Sequence, residues 1–120
     1  MGPESKVIIG TGPSNGTTVP GSCRITVSSK SPMTGFLGDS NAGGFFGAEL
    51  KYAGYDAVII EGSSDKPVYL FIDDDRVELK SAEHLWGKTT RETMRAIRRE
   101  NLDPEIYTIT LGPAGEKLIR

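Results

Sequence analysis

An α+β fold, mixed β-sheets carrying two short helices, is what this sequence predicts, and three observations predict it. Short apolar or alternating runs of strand length recur from end to end, while only two segments carry the 3.6-residue period of a helix. The two helical segments fall among the strands in no regular alternation, which favours α+β over a doubly wound parallel sheet. Glycine is the outlier in composition, 15 of 120 residues, against an average near 7%. The excess lies mostly before Gly62, so it belongs to loops and tight junctions of the first half.

Taken in order, "KVIIG" is an apolar run closed by glycine and predicts a buried strand. "TGPSNGTTVPGS" is dense in Gly, Pro, Ser, Thr and Asn and predicts a loop. "CRITVSS" alternates Arg24, Thr26 and Ser28 with Ile25 and Val27, the pattern of a half-buried strand. "KSPMTGFLGDSN" reads as loop. A helix is predicted from Phe45 to about Ala53, since Phe46, Leu50 and Ala53 recur at i, i+4 and i+7. Gly54 then stands where a left-handed cap is wanted. "AVIIEG" predicts a strand covered on both faces, and "PVYLFID" with "RVELKS" a hairpin turning at Asp74-Asp75. "TTRETMRAIRREN" predicts a second helix with a capping box from Thr89 and Glu92. Its predicted buried stripe is Thr90, Met94 and Ile97, with the arginines facing water. "IYTITLG" predicts a last strand before "GPAGE".

Length and composition bound the function. A chain of 120 residues is one domain or a piece of one. The formal net charge is −2, and the one basic cluster, Arg91, Arg95, Arg98 and Arg99, shares its segment with Glu92 and Glu100. That argues against nucleic-acid binding. The single cysteine, Cys23, excludes an internal disulfide and any multi-cysteine metal site. No apolar run reaches membrane-spanning length, and "MGPESKVIIGTG" lacks the pattern of a signal peptide. A cytoplasmic protein with no membrane partner is expected.

"GTGPSNG" invites comparison with a dinucleotide-binding loop and fails it. Asn15 holds the third glycine position, Pro13 and Pro20 oppose a following helix, and Lys30 stands where an acid is needed. "SNAGGFFG" carries more. Gly43 and Gly44 open a helix with a bare main chain, which suits an anion or a flat ligand that must approach the backbone. The alternative is a tight loop-to-helix junction with Asn41 as its cap. Arg24, on a strand in a weakly charged half, either forks onto a phosphate or simply faces solvent. Cys23 reads as a small buried residue, His84 as a helix-end or packing residue, and Asp73 to Asp75 as turn residues without calcium-loop spacing.

"KSPMTGFLGDSNAGGFFGAELKYAGYDAVIIEG", Lys30 to Gly62, resembles the N-terminal domain of the aldehyde ferredoxin oxidoreductase family, tungsten or molybdenum bis-pyranopterin enzymes. "GPSNGTTVPGSCR" precedes it in register, and "KPVYLFI", "HLWGK" and "LGPAGE" follow. The resemblance implies that residues 1–120 are a single, partial, cofactor-cradling domain on which two phosphate-bearing pterins rest. It places cofactor contacts at Arg24, Asn41 and Gly43, and gives the main-chain carbonyl of Asn41 to a magnesium ion bridging the pterin phosphates. It also implies a parent enzyme that oxidises aldehydes to carboxylic acids and passes electrons through a 4Fe-4S cluster to ferredoxin. The cluster cysteines, the Asp-x-x-Gly-Leu pterin segments and the catalytic acid and histidine of the family have no counterpart in these residues.

The chain is therefore expected to be an excised central part of that domain or a truncated gene product, inactive by itself. It would work with the remaining domains of the same enzyme and tend to self-associate into a homo-oligomer. Two other readings compete: a non-catalytic binding or assembly module that keeps the fold without cofactor, and a free-standing phosphate- or nucleotide-binding enzyme.

Overall fold

In the computed structural model, residues 4–118 are described. The start "MGP" and the last two residues of "KLIR" lie outside them. Six strands and three helices follow in the order β1 (Lys6–Thr11), β2 (Ile25–Lys30), β3 (Leu37–Ala42), α1 (Phe46–Tyr52), β4 (Ala57–Glu61), β5 (Val68–Asp73), β6 (Arg76–Ser81), α2 (Thr90–Glu100) and α3 (Pro113–Glu116). A single 3-10 turn, Glu83–Leu85, precedes α2. The α+β class is as the sequence predicts. The residues cluster into two compact units, one built from those up to Ser64 with Ile72–Val77, the other from Asp65–Phe71 and those from Glu78 onward.

The first unit is a four-stranded antiparallel sheet, ordered β3-β2-β1-β4, with α1 on one face. Directly opposed residues of an antiparallel pair share a face. Thr11, Ile25 and Ala42 therefore lie on one side, and Gly10, Thr26, Asn41 and Ala57 on the other. Ile25 and Leu50 are its buried apolar residues. α1 lies close over β2 because Gly47 has no side chain: a Cβ there would come within 2.9 Å of Ile25 Cγ2 and 3.2 Å of the Cys23 carbonyl. The helix ends in a Schellman motif, with Gly54 N–H donating to Lys51 O, Tyr55 N–H to Leu50 O, and Gly54 at φ +98°.

In the second unit the capping box forms as predicted: Thr89 Oγ1 accepts the Glu92 N–H, and Glu92 accepts the Thr89 N–H at 2.9 Å. Its buried stripe differs. Thr93 and Ile97 are buried, Met94 is half-buried and Thr90 is exposed, because α2 presents the face one position round from the predicted one. Arg98 is half-buried rather than solvated; its Nε donates to the Ile106 carbonyl at 2.8 Å. β5 and β6 form the predicted hairpin, with Asp74 at φ +51° in the turn.

Three elements correct the sequence reading. β4, expected to be covered on both faces, is largely exposed, Ile59 at 60% and Ile60 at 42%, because a short helix lies over one face of this sheet only. Leu37–Ala42, read as loop, is β3. Its Gly, Asp, Ser and Asn residues have low strand propensity, and pairing along all six residues with β2 outweighs that preference. "IYTITLG" forms no strand among the described residues. Alternation reports one covered face, but a strand also needs a neighbour to bond, and the β5–β6 sheet holds two strands only.

Candidate functional site

The residues singled out in the sequence meet at one corner of the first unit's sheet. β2 begins at Ile25 and β3 ends at Ala42, and these two are opposed in register. Arg24 and Gly43 are the next residues along, where both chains leave the sheet. Asn41 pairs with Thr26 one step inside. Antiparallel register thus brings Arg24, Asn41 and Gly43 together.

The main chain of Asn41 has a defined direction. Thr11 N–H donates to the Asp56 carbonyl at 2.9 Å, so the odd-numbered residues of β1 bond toward β4 and Gly10 bonds toward β2. Ser31 N–H donates to the Phe36 carbonyl at 2.8 Å, so the odd-numbered residues of β2 bond toward β3 and Thr26 bonds toward β1. Thr26 and Asn41 are then a non-hydrogen-bonded pair. Because β3 is an edge strand, the Asn41 N–H and C=O point outward from the sheet edge. The same pairing draws the side chains together, and Thr26 Oγ1 donates to Asn41 Oδ1 at 2.9 Å. Asn41 caps no helix: the N-cap of α1 is Phe45, with no side-chain bond.

Around this corner the surface is small and open. Gly10, Thr26, Asn41 and Ala57 form a row of small and short side chains across all four strands on the face opposite α1. Gly43 and Gly44 are exposed, with nothing within 4 Å of where a Cβ would sit, and Gly44 takes φ +108°, a backbone that favours glycine. α1 is only seven residues long, so its dipole adds little, and the bare approach to the main chain is the stronger feature. Arg24 is exposed, just before β2.

Asn15 is the residue that sequence reasoning missed. It is 6% exposed, and its Nδ2 donates to the Arg24 carbonyl at 2.9 Å. The Nδ2 also sits 2.6 Å from where a Gly47 Cβ would be. Asn15 therefore ties the long β1–β2 loop to the main chain that carries Arg24 and to the underside of α1. Its surroundings in sequence are all loop-forming, and no periodicity marks it as buried.

The remaining candidates are structural. Cys23 is a free, half-buried thiol. His84 lies in the 3-10 turn, its Nε2 against Glu100 Oε1 of α2, where Tyr69 Oη donates to the other carboxylate oxygen. Among the described residues no group of three or more His, Cys, Asp or Glu is placed to hold a metal ion, and no helix is long and apolar enough to cross a membrane.

Comparison with known proteins shows the family. The family model for the aldehyde ferredoxin oxidoreductase N-terminal domain matches residues 1–120. A tungsten-containing aldehyde ferredoxin oxidoreductase of Thermococcus kodakarensis is 51% identical over the whole chain, and that of Pyrococcus furiosus 48%. The chain spans about a fifth of the length of these curated relatives, 20% of each. The solved active-site complex BamBC of benzoyl coenzyme A reductase, bound to 1,5-dienoyl-CoA, is similar at a TM-score of 0.83 and 44% identity, over 86% of this chain and 16% of that one. With its whole length matched and its fold shared, the chain belongs to the aldehyde ferredoxin oxidoreductase family and forms part of the N-terminal domain.

Proposed function

We propose that this chain is the base on which a tungsten or molybdenum bis-pyranopterin rests in an enzyme that oxidises aldehydes to carboxylic acids. The observation that carries the reading is the convergence of Arg24, Asn41 and Gly43 at one corner of an open sheet face. The residues fit the group. The Arg24 guanidinium presents a fork suited to a phosphate. The outward Asn41 carbonyl is a hard oxygen donor of the kind that would suit a magnesium ion. Gly43 leaves room for a flat ring system to lie against the main chain.

When bound, the metal–pterin group supplies two-electron redox chemistry, by which an aldehyde and a water become a carboxylate, three protons and two electrons. The contribution of these 120 residues is binding and orientation. Arg24 would neutralise phosphate charge and Asn41 would help hold the ion, while Asn15 holds the Arg24 backbone in place. The 4Fe-4S cluster that passes electrons to ferredoxin falls to the rest of the protein, since Cys23 is the one cysteine here.

Elemental analysis of the full-length protein, purified anaerobically from its native source, tests this. Stoichiometric tungsten or molybdenum is expected; a metal-free protein would favour the cofactor-free module instead. Arg24→Ala should lower metal and pterin retention about tenfold, the loss of one charge-assisted contact. Full retention would remove Arg24 from the site. The likeness to benzoyl coenzyme A reductase favours a second substrate class, an aromatic thioester. Parallel assays with aldehydes and with benzoyl-CoA separate the two.

A further inference from the structure

Gly47 stands inside α1 with an ordinary helical backbone, so no left-handed conformation accounts for a glycine there. Within a helix glycine is destabilising relative to alanine. Proximity accounts for it instead. A Cβ on Gly47 would lie 2.6 Å from Asn15 Nδ2, 2.9 Å from Ile25 Cγ2 and 3.2 Å from the Cys23 carbonyl oxygen. Cys23 and Ile25 are the residues on either side of Arg24. Asn15 Nδ2 is the group that donates to the Arg24 carbonyl at 2.9 Å. The bare spot in α1 is therefore seated on the main chain that mounts Arg24.

The far end of α1 is fastened to the same loop. Tyr52 Oη donates to the Gly16 carbonyl at 3.1 Å, and Gly16 follows Asn15 directly. The ring lies so near that a Cβ on Gly16 would come within 2.8 Å of Tyr52 Cε1. At its other end α1 is entered from Gly43 and Gly44. The helix thus joins the two parts of the corner, the bare main chain that leads into it and the Arg24 backbone on which it rests. Close-packed contacts transmit displacement, so a side chain at position 47 would shift α1 and with it Gly43 and Gly44 relative to Arg24.

We propose that Gly47 and Tyr52 are positioning residues for the phosphate-bearing pterin group. They set the spacing between the Arg24 guanidinium and the bare main chain at Gly43. The inference rests on the cofactor-cradle reading above and extends it to residues that would touch no cofactor atom. Gly47 acts by having no side chain, and Tyr52 by one hydrogen bond and a ring contact that hold the loop carrying Asn15. An arginine fork on a phosphate is demanding in geometry, so its strength depends on where the Arg24 backbone stands.

The test uses the full-length protein loaded with its cofactor, the single variants Gly47→Ala, Tyr52→Ala and Arg24→Ala, and the doubles R24A/G47A and R24A/Y52A. The readout is the rate at which metal and pterin leave the protein on dialysis, metal by elemental analysis and pterin by fluorescence after oxidation. Gly47→Ala is expected to speed release about tenfold, the equivalent of one displaced charge-assisted contact, and Tyr52→Ala about threefold. In each double the fold-change should fall short of the product of the singles, because both residues act through Arg24. A merely structural role would instead multiply with Arg24→Ala. Tyr52 is 64% exposed, so its removal opens no core and judges the proposal should Gly47→Ala fail to fold. Release at the wild-type rate in the folded single variants, or losses that multiply fully with Arg24→Ala, would overturn the proposal. A wild-type protein that never carries the metal counts against the cofactor-cradle reading instead, so the two fail separately.

Discussion

Asn15 sits in "GTGPSNG", whose glycines suggest a phosphate loop and whose other residues refuse one. Its buried amide instead donates to the Arg24 carbonyl and closes the space beneath α1 at Gly47. Asn15→Ala would leave that carbonyl without its partner and open a small void. We expect a loss of about 1–3 kcal/mol of stability, read as a lower midpoint in denaturant unfolding with the slope unchanged. In the holoenzyme the same variant should also weaken cofactor retention, since it frees the backbone on which Arg24 is mounted. At this scale the family resemblance singled out Arg24, Asn41 and Gly43 as candidates, and the β2–β3 register brings those positions together. Asn15 was not legible, because its role lies in contacts with residues remote in sequence.

At the scale of elements, local signals predicted α2 and its box, the hairpin turn and the Gly54 cap, each of which is made by residues a few positions apart. Thr89→Ala should cost about 1 kcal/mol through loss of the cap, measured as a lower melting temperature. Glu92 adds a pH dependence. Bonds from the Thr89 N–H and then its hydroxyl, with lesser help from the charges of Lys88 and Arg95, hold its carboxyl below the ordinary value of 4.5. The folded value lies below the unfolded one. The stabilisation is therefore fully present above 4.5 and fades as pH falls through the lower folded value. Melting curves of wild type and Glu92→Gln, taken from neutrality downward, should differ at neutral pH and converge in acid; a constant gap would contradict the assignment. β3 escaped notice because polar, glycine-containing edge strands are specified by their partner, here β2.

The whole molecule has little core. Among the described residues Ile25, Leu50, Leu85 and Ile97 are the buried large apolar ones, while Met33 is 93% and Phe36 79% exposed. So many exposed apolar side chains suit surface that another part of a protein covers, in keeping with a chain that spans a fifth of its relatives. Isolated as 120 residues, it should self-associate. Light scattering should give a mass above the 12.9 kDa of one chain, rising with concentration. A constant single-chain mass would show that the exposed side chains are tolerated by water.

By itself the sequence determined the α+β class, the Thr89–Glu92 capping box, the Gly54 cap, the hairpin and, through the long glycine-rich string from Lys30 to Gly62, the family. Those features depend on residues near one another in the chain or on a pattern long enough to be specific. Only the tertiary structure decided that Leu37–Ala42 is a strand, that "IYTITLG" is not, and that Asn15 holds the Arg24 backbone. It also decided that the Asn41 carbonyl points out from the sheet edge. Each of these is fixed by which strand lies alongside and in what register, a property of pairing between distant segments that no local propensity encodes.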